Sequence, residues 1–188
     1  MNQAAEKFEM PLITPIAPAE DQERVDNILK AVNEHIGFIP DGLRLFIFSP
    51  PLLESFVGNI SYFNGGTSIP PSLMAMIRYL VSSKAECTFC IDMNEGFLVN
   101  MGADLEQVRA ARSNPDLAPV EENQRPLLAL ALKSVETPEN VMEQDIQAVR
   151  QAGWSDREIF DAIAQANSNR AFNNILRTFN IEHQGVFS

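Results

Sequence analysis

The sequence predicts an all-α protein, and three observations carry that expectation. Apolar residues recur at helical spacing along almost the whole chain. No stretch offers four or more alternating β-branched positions bounded by turns. Glycine or proline stands at most places where one periodic segment gives way to the next. The 188 residues suit one domain able to bury roughly 70% of its unfolded surface. The expected organisation is an extended arm over residues 1–18 and a single helical domain of about eight helices over residues 19–188.

The elements follow in order. Pro11, Pro15 and Pro18 punctuate the arm. A first helix is expected from about Ala19 to His35, with Val25, Ile28, Leu29 and Val32 on one face and Gly37 closing it. A short helix covers Asp41 to Phe48. The next runs from Pro51 to about Asn64 and stops at Gly65-Gly66. A fourth starts at Pro70-Pro71, where proline suits the first turn, and carries Leu73, Ile77, Leu80 and Val81 to Lys84. Cys87 to Met101 is expected to be the central helix, closed by Gly102. Asp104 with Gln107 resembles a capping box for a helix through about Arg112, and a polar connection runs from Asn114 to Glu122. Helices over Arg125 to Glu136 and Pro138 to Ala152 follow, and Ser155 with Glu158 caps a last one to about Asn180. The stretches Gly102 to Val108 and Gly153 to Ile159 share glycine, cap, box acceptor and apolar residue at matching intervals, which convergence explains as well as duplication does.

Composition narrows the function classes. Hydrophobic residues make up 45% and charged residues 21%, which is a globular balance. Fourteen Lys and Arg against 25 Asp and Glu leave a net charge of −11, a field that repels phosphate backbones and anionic lipid. Nucleic acid and membrane are therefore not expected partners. No apolar run approaches the ~20 residues of a bilayer span, and Met1 to Pro18 lacks the basic and apolar regions of a secretory leader. The expected location is the cytoplasm. Two cysteines there would ordinarily be separate free thiols, so their spacing as Cys87 and Cys90 stands out.

At i and i+3 the two cysteines share a helix face, close enough for a somewhat strained and hence reducible disulfide at a pliable first turn. The unpaired amides of a helix start lower the pKa of the thiol nearest them, which favours Cys87. Other readings stand beside this one. A structural zinc would need His35 and His183, both far away in sequence, so no metal is expected. Haem attachment is excluded because Ile91 stands where its histidine would be. Two inert buried thiols remain open, whereas a thioredoxin-like motif would follow a strand that is not present before Glu86.

The run Glu86-Cys-Thr-Phe-Cys90-Ile-Asp92-Met-Asn94 resembles the AhpD-like alkylhydroperoxidases of the carboxymuconolactone decarboxylase superfamily. Pro40-Asp-Gly, Ser49-Pro-Pro-Leu-Leu and Gly153-Trp-Ser-Asp-Arg-Glu-Ile, with Asn169-Arg170, extend the likeness to the peroxidase-related branch over roughly residues 20–180. The resemblance implies an AhpD-like all-α fold with the cysteine pair at a helix N-terminus. It also implies a homo-oligomer and a peroxidase-type oxidoreductase that needs no cofactor. Cys87 and Cys90 would reduce a hydroperoxide, and a thiol or dithiol reductant protein would reduce them again.

The family places a histidine four residues after the second cysteine and a glutamate about twelve before the first, as a proton relay. Here those positions hold Asn94 and Ala75. An amide cannot exchange a proton near neutral pH, so weak or altered turnover is expected, with Glu86, Asp92 and Glu95 as local candidates to help. The relay's position implies that Cys90 attacks and Cys87 resolves, opposite to the helix-dipole preference. Asn167, Arg170 and Asn174 share a face of the last helix and suggest a buried polar network there. Lactone decarboxylation uses no cysteine pair and ranks below redox chemistry. Thiol–disulfide exchange, and a non-catalytic helical oligomer, are the alternatives.

Overall fold

The computed structural model describes residues 11–181, and among these it contains nine α-helices and no strand. They are α1 (Gln22–Ile36), α2 (Asp41–Arg44), α3 (Pro50–Gly65), α4 (Pro71–Lys84) and α5 (Thr88–Asn100). The remainder are α6 (Leu105–Ser113), α7 (Arg125–Glu136), α8 (Glu143–Gln151) and α9 (Asp156–Thr178). The expected elements are present in the expected order. Residues 1–10 of the predicted arm, and His183, lie outside the described residues. Residues 11–18 have no regular structure, and the Leu12 N–H donates to the Phe179 carbonyl beyond the end of α9 at 3.0 Å.

The stop signals act as chemistry requires. Gly102 and Gly153 adopt φ of +91° and +99°, a left-handed turn that costs glycine little, and each is followed by an N-cap. Asp104 accepts the Gln107 N–H at 2.9 Å, while Ser155 and Glu158 form the full reciprocal box.

Two expectations need correction. The helix expected over Pro138 to Ala152 is broken: Pro138–Asn140 form a single 3₁₀ turn, Val141 and Met142 are extended, and α8 starts at Glu143. The cause is local. The Asp145 carboxylate accepts the Met142 N–H at 2.7 Å and Lys133 Nζ at 2.6 Å, so it caps a new start instead of facing solvent in mid-helix. The central helix is also α4 rather than the cysteine helix. Leu73 through Ile77 and Tyr79 through Ser82 are all buried, because α4 packs against α5, α7 and α9 at once. A helix apolar on every side lies inside, not at the surface.

The core has two parts. One joins α4 to α6, α7 and the first half of α9. The other gathers Val25, Leu29, Leu43, Phe46 and Leu53 with Phe89, Phe172 and Leu176, and it contains both cysteines. Phe46 and Phe56 stack at 4.5 Å between ring centroids, and Phe172 lies 4.8 Å from Phe56. Gly42 approaches this group closely: a Cβ there would lie 2.9 Å from Phe172 and 3.1 Å from Phe89. The Pro40-Asp-Gly segment is thus a close-packing point against α5 and α9.

Candidate functional site

The turn between α4 and α5 builds the site. Glu86 takes a left-handed conformation, φ 53°, which reverses the chain within three residues. Cys87 becomes the extended N-cap residue of α5, its N–H held by the Ser82 carbonyl at 3.0 Å, and Cys90 lies in the first turn. Both thiols are free and each is 1% exposed. The CxxC therefore starts a helix, as expected.

The two sulfurs titrate as a pair. The Cys90 thiol and backbone amide beside Cys87, with Asn173 and the charge of Arg177, hold Cys87 below the usual thiol range against the opposing effect of burial. The hydrogen bond with Cys87, together with burial, pushes Cys90 well above that range, though Asn173 and Ser82 pull the other way. The two shifts run in opposite directions because each sulfur is the other's nearest hydrogen-bond partner. Titration of the reduced protein, followed by thiolate absorbance, is expected to show one equivalent ionising below the range of an ordinary cysteine and the second above it. In Cys90→Ala the Cys87 midpoint is expected to rise, because the largest effect lowering it is removed. A single midpoint for two thiols in the wild type would contradict the pairing.

Polar side chains surround the pair inside an otherwise apolar core. Asn169 Nδ2 lies 2.9 Å from Ser82 Oγ, 3.1 Å from the Arg78 carbonyl and 3.2 Å from Asn173 Oδ1, and Asn173 Nδ2 donates to Ser82 Oγ at 3.1 Å. Asn94, 1% exposed, donates from Nδ2 to the Cys90 carbonyl at 2.8 Å and accepts Arg78 Nε on Oδ1 at 2.9 Å. Arg78 feels the Cys90 charge, and burial pushes its pKa down to about 10, so it stays a cation at neutral pH. A guanidinium thus stands beside the first turn of α5, held by the Asn94 amide.

The other sequence candidates lie apart from this network. Glu86 is 81% exposed and pairs with Arg177 at 3.6 Å, while Arg177 also donates to the Ala85 carbonyl at 2.6 Å. Its link to the sulfurs runs through the Arg177 charge. Asp92 is half-buried on α5. Glu95 is buried, but it is committed to Tyr79 Oη at 2.7 Å and to Arg109 and Arg112, each at 3.0 Å. Burial raises its pKa, yet those partners outweigh burial and keep it below the usual carboxylate range. His35 is exposed at the edge of a cavity described below. Among the described residues, no three His, Cys, Asp or Glu side chains are placed to hold a metal ion.

The network expected from Asn167, Arg170 and Asn174 lies on a different face of α9. Asn167 donates to Ser134 Oγ and the Ile163 carbonyl, Arg170 borders a separate cleft with Lys84 and Glu136, and the Asn174 carbonyl accepts the Thr178 hydroxyl. Asn169 and Asn173, at i and i+4, are the buried pair. Arg78, Ser82, Asn173 and Arg177 were missed by sequence reasoning. Arg78 alone left a signal, as a cation inside the apolar run Leu73 to Val81.

A cavity of ≈ 480 Å³ lies between α1, α3, α5 and α9. Arg78, Asn94, Gln165 and Asn169 are among its polar lining residues, and five phenylalanines with aliphatic side chains supply its apolar part. Phe89, Met93, Asn94 and Phe97 bring α5 to it; neither cysteine lines it, and Asn94 links it to the Cys90 carbonyl.

Helical packing of this kind, with a CxxC at the start of a buried-face helix, defines the class as the AhpD-like fold. The chain superimposes on an uncharacterized peroxidase-related protein from Silicibacter sp. TM1040 with a TM-score of 0.81 at 20% identity, covering 91% of this chain and 90% of that one. A second structure is the alkylhydroperoxidase AhpD core of an uncharacterized peroxidase-related protein from Ralstonia eutropha JMP134, with TM-score 0.78, 20% identity and 95% coverage of both chains. A third is a cysteine-to-alanine variant of the debrominase Bmp8 in complex with 2,3,4-tribromopyrrole, with TM-score 0.68, 20% identity, 89% of this chain and 90% of that one. No protein-family model and no curated protein matches the chain. The fold is therefore shared with peroxidase-related proteins and with a debrominase. No helix of the described residues is long and apolar enough to cross a membrane.

Proposed function

We propose that the protein is a thiol-dependent peroxidase-type oxidoreductase acting through Cys87 and Cys90. The observation that carries this reading is the buried, mutually hydrogen-bonded thiol pair at the start of α5, linked through Cys90 to Arg78 and Asn94, which line a cavity. Asn94 and Arg78 are both tied to Cys90, so Cys90 acts as the nucleophile in this reading and Cys87 takes its proton across the pair.

The steps balance within the two residues. Cys90 sulfur attacks the distal oxygen of a hydroperoxide, the O–O bond breaks, and the departing oxygen takes the proton now held by Cys87, which yields an alcohol. The Cys87 thiolate then attacks the sulfenic sulfur of Cys90. The S–S bond forms, hydroxide leaves, and solvent protonates it to water. The cysteines lose two electrons and the peroxide gains them. A thiol or dithiol reductant protein returns the pair to the dithiol, and assembly as a homo-oligomer accords with exposed Phe48, Leu52, Ile60 and Phe160.

The test is a thiol count with mass analysis after one equivalent of an alkyl hydroperoxide. Two thiols should disappear and the peptide carrying both cysteines should lose two hydrogens. Persistence of both thiols, or higher oxides alone, would reject the assignment. The debrominase neighbour favours a second reading, reductive removal of a halogen from a small aromatic ring by the same pair, and the aromatic lining of the cavity is the observation in its favour. Bromide release from a bromopyrrole with matching thiol loss would support it.

A further inference from the structure

The cavity that Asn94 links to Cys90 has a charge pattern that the pair itself does not need. Its ≈ 480 Å³ lies within the ~300–1,000 Å³ of small-molecule sites. Phe56, Phe63, Phe89, Phe97 and Phe172 supply an apolar lining, and no Asp or Glu borders it among the described residues. That is unusual company in a chain of net charge −11. The one guanidinium in its lining, Arg78, uses Nε to hold Asn94 and pairs with no carboxylate among the described residues.

An unpaired guanidinium in an apolar recess is costly, and an anion with matching planar geometry offsets that cost best. A carboxylate meets the remaining donors of the fork with two parallel charge-assisted bonds. We propose that the cavity binds a small organic acid, its carboxylate on Arg78 and its apolar body among Phe56, Phe89, Phe97 and Phe172. The substrate class is then a carboxylate-bearing hydroperoxide of modest size, with the reacting oxygen a few bonds from the acid group. This part rests on the reading of Cys90 as the nucleophile.

Burial supports the same conclusion from the opposite direction. Desolvation holds the Arg78 pKa down, so an arriving anion recovers part of what burial costs the cation. Asn94 fixes the guanidinium without neutralising it, which an aspartate at that position would do. The Asn94 side chain is itself tied to the Cys90 carbonyl, so a bound acid lies in register with the first turn of α5.

Isothermal titration of phenylacetate and of phenylacetamide into the reduced protein tests the proposal with no oxidant present. Phenylacetate should bind roughly tenfold tighter or more, the gain from a charge-assisted pair in a desolvated site. In Arg78→Gln the acid should lose that advantage, and in Arg78→Lys, which keeps the charge without the fork, part of it should remain. Equal affinities in the wild type, binding of neither compound, or an acid preference that survives Arg78→Gln would each overturn the proposal. The wild-type comparison decides even if a variant folds poorly. The peroxide-driven thiol count, made separately, reports on the redox reading, so the two can fail independently.

Discussion

Cys90→Ser is expected to lower peroxide consumption by roughly 10³-fold or more, because the nucleophile is lost and an alcohol at that position cannot replace a thiolate. Cys87→Ser should behave differently. It keeps the attacking sulfur but loses the partner that takes its proton and later resolves the sulfenic acid. One slow oxidation per chain should remain, ending in a sulfenic acid at Cys90 that dimedone traps and mass analysis locates. Steady-state turnover with a dithiol reductant and single-turnover trapping separate the two variants. The reverse pattern, with sulfenic acid at Cys87 in Cys90→Ser, would transfer the attack to the N-cap sulfur that the helix start and Arg177 favour.

Those competing assignments arise because two local effects point at different sulfurs. The N-cap position, the amide and thiol of Cys90, and Arg177 favour charge on Cys87. Arg78 and Asn94, which line the cavity, interact with Cys90. Hydrogen bonding between the two sulfurs reconciles them. On the proposed mechanism, Cys87 is the more readily ionised sulfur in the free protein and takes the Cys90 proton when a peroxide is attacked.

What could be read from the sequence was local, and what could not was tertiary. Helix starts and stops were legible because Gly37, Gly102, Gly153 and the Ser155 box act on their own neighbours. The CxxC at a helix start was legible for the same reason. The Pro138 segment misled because its break depends on Asp145 turning back to Met142 and on Lys133 of the preceding helix. The polar network was placed on the wrong face of α9 because choosing between two nearby sets of asparagines requires knowing where Ser82 lies. Arg78 carried a visible oddity, a charge amid buried residues, but its meaning came only with the cavity and Asn94.

Installing the histidine–glutamate relay of AhpD-like alkylhydroperoxidases by substitution is expected to fail, for a reason that packing supplies. Asn94→His alone gives an imidazole that can take the place of the amide, accepting Arg78 Nε and donating to the Cys90 carbonyl, with no proton left for the peroxide. The neighbouring cation also disfavours the protonated ring. The gain should therefore stay near or below tenfold, under the ~10²–10⁴ of general acid–base assistance. Adding Ala75→Glu, which would supply the orienting carboxylate, meets a position that is 0% exposed and packed in the core of α4. A carboxylate there must displace its neighbours and lose its water, and pairing with Arg78 one turn along would offset only part of that. The double variant is expected to lose about 3 kcal/mol of stability, or roughly 10 °C in Tm for a chain of this size. Thermal unfolding followed by circular dichroism, beside peroxide turnover at a temperature where both variants are folded, measures each effect. A double variant as stable as the wild type and at least ~10²-fold faster would show that the site tolerates the relay it lacks.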